Sequence, residues 1–180
     1  MPLELTSPSG DEPITLVEAK NYLKVDTADD DALITQMIAA ARIRAEWYTG
    51  RAFTPQSWTL WLDRWPVDGL VEIPLPPLQA VTSIVLYAPD DTARTLDRSQ
   101  YQVDAVSVPA RLVLTGSLGA VRRMNAIAIA FTAGDDTLPP PVREAILCIA
   151  AYLYENRGEA PEELPFDALA LLAPYRILKL

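Results

Sequence analysis

The sequence contains no histidine and a single cysteine, Cys148. Without histidine, the usual base of a nucleophilic triad and the commonest metal ligand are both missing. With one cysteine as well, a Cys/His zinc site is excluded, and no disulfide can close within the chain. Cys148 sits in an apolar run and is expected as a buried thiol. Lysine is scarce: Lys20, Lys24 and Lys179 stand among 15 basic residues, the rest arginine. Arginine is the commoner interface residue. No apolar run approaches the roughly 20 residues of a membrane span. Residues 1–12 carry acids where a secretory signal would have a basic segment and an apolar core. A soluble chain made in the cytoplasm is the expectation.

Catalytic signatures are also missing. There is no Gly-x-Gly-x-x-Gly, no phosphate-binding Gly-x-x-x-x-Gly-Lys and no Gly-x-Ser-x-Gly elbow. Gly116-Ser117-Leu118-Gly119 reads as a turn. Asp63, Asp97 and Asp104 would suit a carboxylate hydrolase only if two of them converged. Their positions at strand ends and in loops predict turn formers instead. The sequence therefore predicts no catalytic residue, no cofactor site and no metal site.

What is present falls into three blocks, giving an α+β fold. Two N-terminal and two C-terminal helices frame a central antiparallel, β-rich insertion. Residues 1–12 read as a flexible arm, and residues 13–180 as one domain: 13–50 helical, 57–132 β-rich, 138–180 helical with a C-terminal tail. Thr15 and Glu18 have the spacing of a capping box after Pro13. The acids of 26–31 fit the N-terminal end of a second helix. They do not fit a calcium loop, whose sixth and twelfth positions would fall on Asp31 and Met37. That helix runs over 30–49, with Ile34, Met37, Ile38, Ala41, Ala45 and Tyr48 at helical spacing, and stops at Gly50.

Strands are predicted at 57–62, 71–73, 81–87, 101–103, 111–114 and 126–132, with a turn at Pro89-Asp90-Asp91. Trp58, Trp61 and Trp65 crowd the first of these and are expected to pack in its core and to add a subunit contact, against the alternative of a sugar-stacking platform. Arg122-Arg123 reads as a solvated loop or an intersubunit pair, able to touch phosphate if it faced a lumen. Pro139-Pro140-Pro141 opens a helix that is apolar nearly all round and stops at Gly158. An acidic stretch over 159–163 reads as mobile. A last short helix over 166–173 is cut off by Pro174.

Several of these segments, in this order, resemble one family. Glu12-Pro13-Ile14-Thr15-Leu16-Val17-Glu18-Ala19-Lys20 with Tyr22-Leu23-Lys24-Val25-Asp26 is similar to its opening. Asp30-Asp31-Ala32-Leu33-Ile34 leading to Ala39-Ala40-Ala41-Arg42, closed by Trp47-Tyr48-Thr49-Gly50-Arg51, resembles its second helix. Ile73-Pro74-Leu75-Pro76-Pro77-Leu78 with Val81-Thr82-Ser83-Ile84 resembles its proline-flanked strand. Tyr154-Glu155-Asn156-Arg157 and Leu172-Ala173-Pro174-Tyr175-Arg176 are similar to its last helical motifs. The family is the head–tail connectors, or adaptors, of tailed phages, in the group called phiE125 gp8-like, which includes the adaptor of gene transfer agents.

The resemblance implies a structural, non-enzymatic subunit at the virion neck. It implies a ring of about twelve copies, closed by head-to-tail contacts. Its partners would be the portal protein above and a stopper or tail-terminator protein below. DNA would cross the lumen without sequence-specific binding, in keeping with a formal charge of −9 that repels phosphate. Tyr175, Arg176, Ile177, Leu178 and Leu180 are then candidates for the portal contact, against the alternative that this tail packs on its own domain. Trp47, Tyr48 and Trp61 are candidates for the subunit contact. The competing readings are another tail or baseplate component, a generic oligomeric adaptor, and a carboxylate-based hydrolase.

Overall fold

The computed structural model describes residues 2–8, 10–135, 137–157 and 163–177. The expected helix stop at Gly158, most of the acidic stretch 159–163, and Leu178 and Leu180 of the tail lie outside the described residues. The chain divides into two compact units. One holds Met1–Gly10 and Thr54–Asp135, the other Asp11–Phe53 and Asp136–Leu180. The sequence predicts one domain over 13–180.

The strand unit contains two antiparallel sheets. The larger has the order β1-β2-β8-β4-β5: β1 is Leu3–Ser7, β2 Gln56–Leu62, β4 Leu78–Tyr87, β5 Ala93–Thr95 and β8 Ile127–Ala133. The smaller has the order β3-β7-β6, from Leu70–Ile73, Ala110–Leu114 and Tyr101–Asp104. Strand β8 is central because its every second residue is apolar and large. Ile127, Ile129 and Phe131 are fully buried, and Leu62 and Leu60 of β2 and Leu86 and Ile84 of β4 stand opposite the two isoleucines.

Residues 3–7 lie within the expected flexible arm. They form an edge strand, with Leu3 opposite Leu60 and Leu5 opposite Trp58. The Pro2 carbonyl accepts from the Trp61 amide at 3.0 Å, and the Thr6 and Thr59 hydroxyls meet at 3.1 Å. The period-two alternation Leu3-Glu4-Leu5-Thr6 is the cause. β5 is a second strand that the sequence reading did not expect. Asp91, at φ 65, makes the turn that returns it to β4.

The tryptophan expectation is also corrected. Trp58, Trp61 and Trp65 are half-buried, and the buried positions of β2 are Gln56, Leu60 and Leu62. Each of these indoles spends its N–H on a nearby acceptor: the Gln56 amide oxygen, a Glu4 carboxylate oxygen and the Gly69 carbonyl. That need keeps the rings at the margin of the core.

The helical unit is built from α1 (Leu16–Leu23), α2 (Asp31–Thr49), α3 (Pro140–Glu155) and α4 (Phe166–Leu172). Ile34, Ile38, Ala41, Ala45 and Thr49 form the buried stripe of α2. It packs in one core with Val142, Ala145, Ile146 and Ile149 of α3, and with Ala168 and Leu172 of α4. Thr15 caps α1 by accepting from the Glu18 amide at 3.2 Å. The reciprocal half of the capping box is replaced: the Glu18 carboxylate takes Arg143 Nη1 at 2.7 and 2.8 Å.

Asp30 does not cap α2 through its side chain. Its carboxylate instead accepts from the Tyr154 hydroxyl at 2.6 Å and from Arg157 at 3.0 Å. These two donors, the tyrosine first, hold its pKa below the usual carboxylate value. Cys148 is half-buried rather than buried. It lies on the same face of α3 as the exposed Glu144, with its sulfur 3.2 Å from the Tyr22 hydroxyl.

Arg42 is the one buried arginine among the described residues of the helical unit, 7% exposed beside Glu46 at 9%. Glu12 binds it at 2.7 and 3.0 Å and Glu46 at 2.7 Å. The second Glu46 oxygen accepts from the Phe53 amide at 2.8 Å. Burial opposes the charge, but the two carboxylates outweigh it and keep the guanidinium protonated. No helix among the described residues is long and apolar enough to cross a membrane.

Two outcomes are expected from denaturant midpoints. Arg42→Met should cost about 3–5 kcal/mol, because it removes the guanidinium that neutralises the buried Glu46 charge. Adding Glu46→Gln, which keeps an acceptor for the Phe53 amide, should recover most of the loss. In the strand unit, Gly134 lies at φ +106, and a Cβ there would sit 1.9 Å from the Thr54 carbonyl oxygen. Gly134→Ala should therefore lose more than about 3 kcal/mol, whereas Gly116→Ala, which meets nothing within 4 Å, should stay within about 0.5 kcal/mol.

Candidate assembly surfaces

The surface of α2 carries an apolar seam opposite its buried stripe. Ile43 is 45% and Trp47 is 86% exposed, four residues apart and so on one face. Further up the helix, Leu33, Met37 and Ala40 line an open groove of roughly 340 Å³ with Leu153 of α3 and with Asn156 and Arg157 just beyond its end. An exposed indole on a regular helix suits a contact more than a fold, since its area remains to be buried by something else.

Tyr48 differs from its neighbour. It is half-buried and packs on the helical core, and the Arg176 guanidinium lies over its ring at 5.3 Å. Tyr175 also packs on that core, and its carbonyl accepts from Arg51 Nε at 2.6 Å. The Ile177 amide donates to the Thr49 carbonyl at 2.8 Å. The structure thus brings Tyr48 together with the described part of the tail, residues 175–177. Arg51 and Thr49 take part and were missed by the sequence reading. Backbone acceptors leave no trace in a side-chain pattern.

Trp61 belongs to the strand unit. It stacks on Tyr87 with ring centroids 6.0 Å apart and an interplanar angle of 28°, and its indole N–H goes to Glu4 at 3.0 Å. Arg122 covers the other partner of that pair, 4.2 Å from the Tyr87 centroid. It also binds Asp91 at 3.0 Å and the Asn125 carbonyl at 2.7 Å. Arg122 is therefore a structural clamp of its own loop, while Arg123 next to it is exposed.

The acids weighed for chemistry are occupied in turns. Asp63 accepts from the Asn125 amide at 2.8 Å. Asp97 accepts from the Ser99 amide at 2.9 Å. Asp104 accepts from the Val106 and Ser107 amides at 3.0 and 3.1 Å. Hydrogen bonds from serine, led by the hydroxyls of Ser99 and Ser107, lower the pKa values of Asp97 and Asp104, so both are held as carboxylates. Among the described residues no group of acids and cysteine could hold a metal ion.

Exposure separates the two aromatic neighbours of α2 by measurement. Trp47→Ser should leave the melting transition within about 0.5 kcal/mol of the parent. Tyr48→Ala should cost about 2 kcal/mol, because it removes packing as well as the ring under Arg176.

The fold matches a chain in the neck of an empty gene transfer agent particle, computed with C6 symmetry, at a TM-score of 0.85. It also matches a chain in the neck of the native particle, computed with C12 symmetry, at 0.81. Identity is 22% in both, over 100% of this chain and 97% of the other. None of the curated proteins matches. A family model described as phage gp6-like head-tail connector protein matches residues 13–113. Its description says gp6-like where the motifs resembled a gp8-like group; head–tail connector is common to both. By that match, which spans more than half of its length, the chain belongs to the phage gp6-like head-tail connector family.

Proposed function

We propose that the chain is a ring subunit at the neck of a phage or gene transfer agent particle, joining the portal to a stopper or tail-terminator protein, with no catalytic role. The family match over residues 13–113 carries this reading. The likeness in fold over the whole chain to subunits of gene transfer agent necks supports it. In this reading the two compact units act as one connector subunit. About twelve copies close head to tail, so that two different surfaces of each subunit meet. Trp47 anchors one lateral surface, Tyr48 supports it from below, and Trp61 offers a second aromatic edge. The tail from Tyr175 through Arg176, Ile177, Leu178 and Leu180 reaches the portal. DNA crosses the lumen without sequence-specific contacts, since the charge of −9 offers phosphate little attraction.

The experiment is electron microscopy of this protein mixed with the portal protein of the same particle. A ring of added density against the portal, with matching symmetry, is the expected result. Both proteins folded and no added density would transfer the chain to another tail or baseplate position.

A further inference from the structure

The outward seam of α2 is complementary to itself. Ala40 lies at its middle, with Leu33 and Trp47 seven residues to either side and Met37 and Ile43 three. Those spacings keep them on one side of the helix. Toward the N-terminal end the seam is hollow, where Leu33, Met37 and Ala40 line the groove with Leu153. Toward the C-terminal end it protrudes: Trp47 is 86% exposed, with Ile43 beside it at 45%. A second α2 laid antiparallel on the first, Ala40 against Ala40, sets each indole over the other copy's groove. A small residue at the crossing lets the axes approach to about 8 Å, the close limit of helix packing. Met37 in the groove suits an aromatic guest, because its chain adapts and its sulfur favours a ring.

Charge selects the same orientation. Asp26 and Asp29 are exposed before the N-terminus of α2. Arg51 and the exposed Arg176 gather at its C-terminal end, on the Tyr175 carbonyl and the Tyr48 ring. Asp29 and Arg51 each stand eleven residues from Ala40, so the antiparallel pair brings them to the same level, acid against base. A parallel pair would set acids on acids and arginines on arginines. The helix dipoles favour the antiparallel pair as well.

We propose that this face of α2 is a two-fold contact between free subunits, in which Trp47 of each copy fills the α2–α3 groove of a second copy of the chain. Burying the indole removes roughly 200 Å² of surface per copy. The whole contact stays below about 1,200 Å², the range of weak and transient association. A two-fold contact closes after two copies and does not propagate. The dimer therefore covers Trp47 before assembly, and the lateral ring contact proposed for that indole is reached by opening it.

The test is sedimentation equilibrium of the full chain over a range of concentrations, without any portal protein. The parent should pass from monomer to dimer with a Kd on the order of 10 µM. Trp47→Ser and Ala40→Glu should each weaken this at least ~10-fold and keep the parent's melting transition. Phe166→Ser, which removes an aromatic 81% exposed on α4, should change nothing. A cross-link then reads the symmetry, with Cys148→Ser in every variant. Only at a two-fold axis does a residue face its own copy, so Ala40→Cys should oxidise to a covalent dimer. Thr35→Cys, exposed on another side of α2, should not.

A parent that stays monomeric at every concentration, with no Ala40→Cys cross-link, overturns the dimer. A dimer indifferent to Trp47→Ser overturns the assignment to this face. A ladder of larger species that Trp47→Ser abolishes overturns the two-fold geometry and gives the face to a head-to-tail contact. The Ala40→Cys cross-link decides should Trp47→Ser or Ala40→Glu not fold. Neither readout involves the portal, so failure of the ring reading on the portal and failure of the dimer remain separate results.

Discussion

The helical unit depends on a charge placed where charge is expensive. Arg42 lies in the buried stripe of α2, where Ala41 and Ala45 leave room for a long side chain. Isolated there, a guanidinium would cost several kcal/mol. Glu12 and Glu46 both bind it, and Glu46 spends its other oxygen on the Phe53 amide. The consequence is topological. Glu12 stands at the entry to the first helical segment and Phe53 at its exit, so one network ties both ends of that segment to the middle of α2. Such an arrangement adds specificity more surely than stability, since an apolar replacement of all partners can be equally stable. What it fixes is register: α2 cannot slide or rotate without stranding the guanidinium.

A fixed α2 gives the outward residues their meaning. Ile38, Ala41 and Ala45 face the core, and the same helical period that buries them turns Ile43 and Trp47 to the surface. An indole held out on a rigid helix loses little conformational freedom on contact, which favours it as an anchor. Two other residues weighed for contacts are engaged within their own unit. Trp61 is engaged with Tyr87 and Glu4, and Arg122 with its own loop. The acids that might have suggested chemistry are consumed by turns and by the Tyr154–Asp30–Arg157 cluster. Protruding anchors of this kind are what the proposed assembly role would use.

The parts of this fold that were legible in the sequence are those governed by local rules. Helices α1 to α4 announce themselves through Thr15, Gly50, the Pro139–Pro141 run and their apolar period. The strands β2, β4 and β8 do so through alternation. What was missed depends on residues far apart. Leu3-Glu4-Leu5-Thr6 alternates, but it becomes a strand only by pairing with β2, and the surrounding Pro and Ser suggested a loose arm. Asp30 looked like a cap because its distant partners, Tyr154 and Arg157, could not be foreseen. The capping box lost its second half to Arg143 in the same way. For the candidate surfaces, aromatic and apolar character picked out Trp47, Tyr48 and the tail. It could not show that Tyr48 is shared between core and tail.

That sharing links the two proposed contacts. Trp47 and Tyr48 are successive residues on the last turn of α2, one exposed and one beneath Arg176. A neighbouring subunit that buried Trp47 would also restrain the turn whose Thr49 carbonyl holds Ile177. By linkage, any stiffening of that turn by a lateral neighbour lowers the ordering cost of a tail contact, and an engaged tail does the same for the lateral contact. A ring built on this turn would therefore gather on its partner more readily than it would close alone. In that proposed reading the cooperativity would originate at a single helix end, whose Thr49 carbonyl accepts from the Ile177 amide.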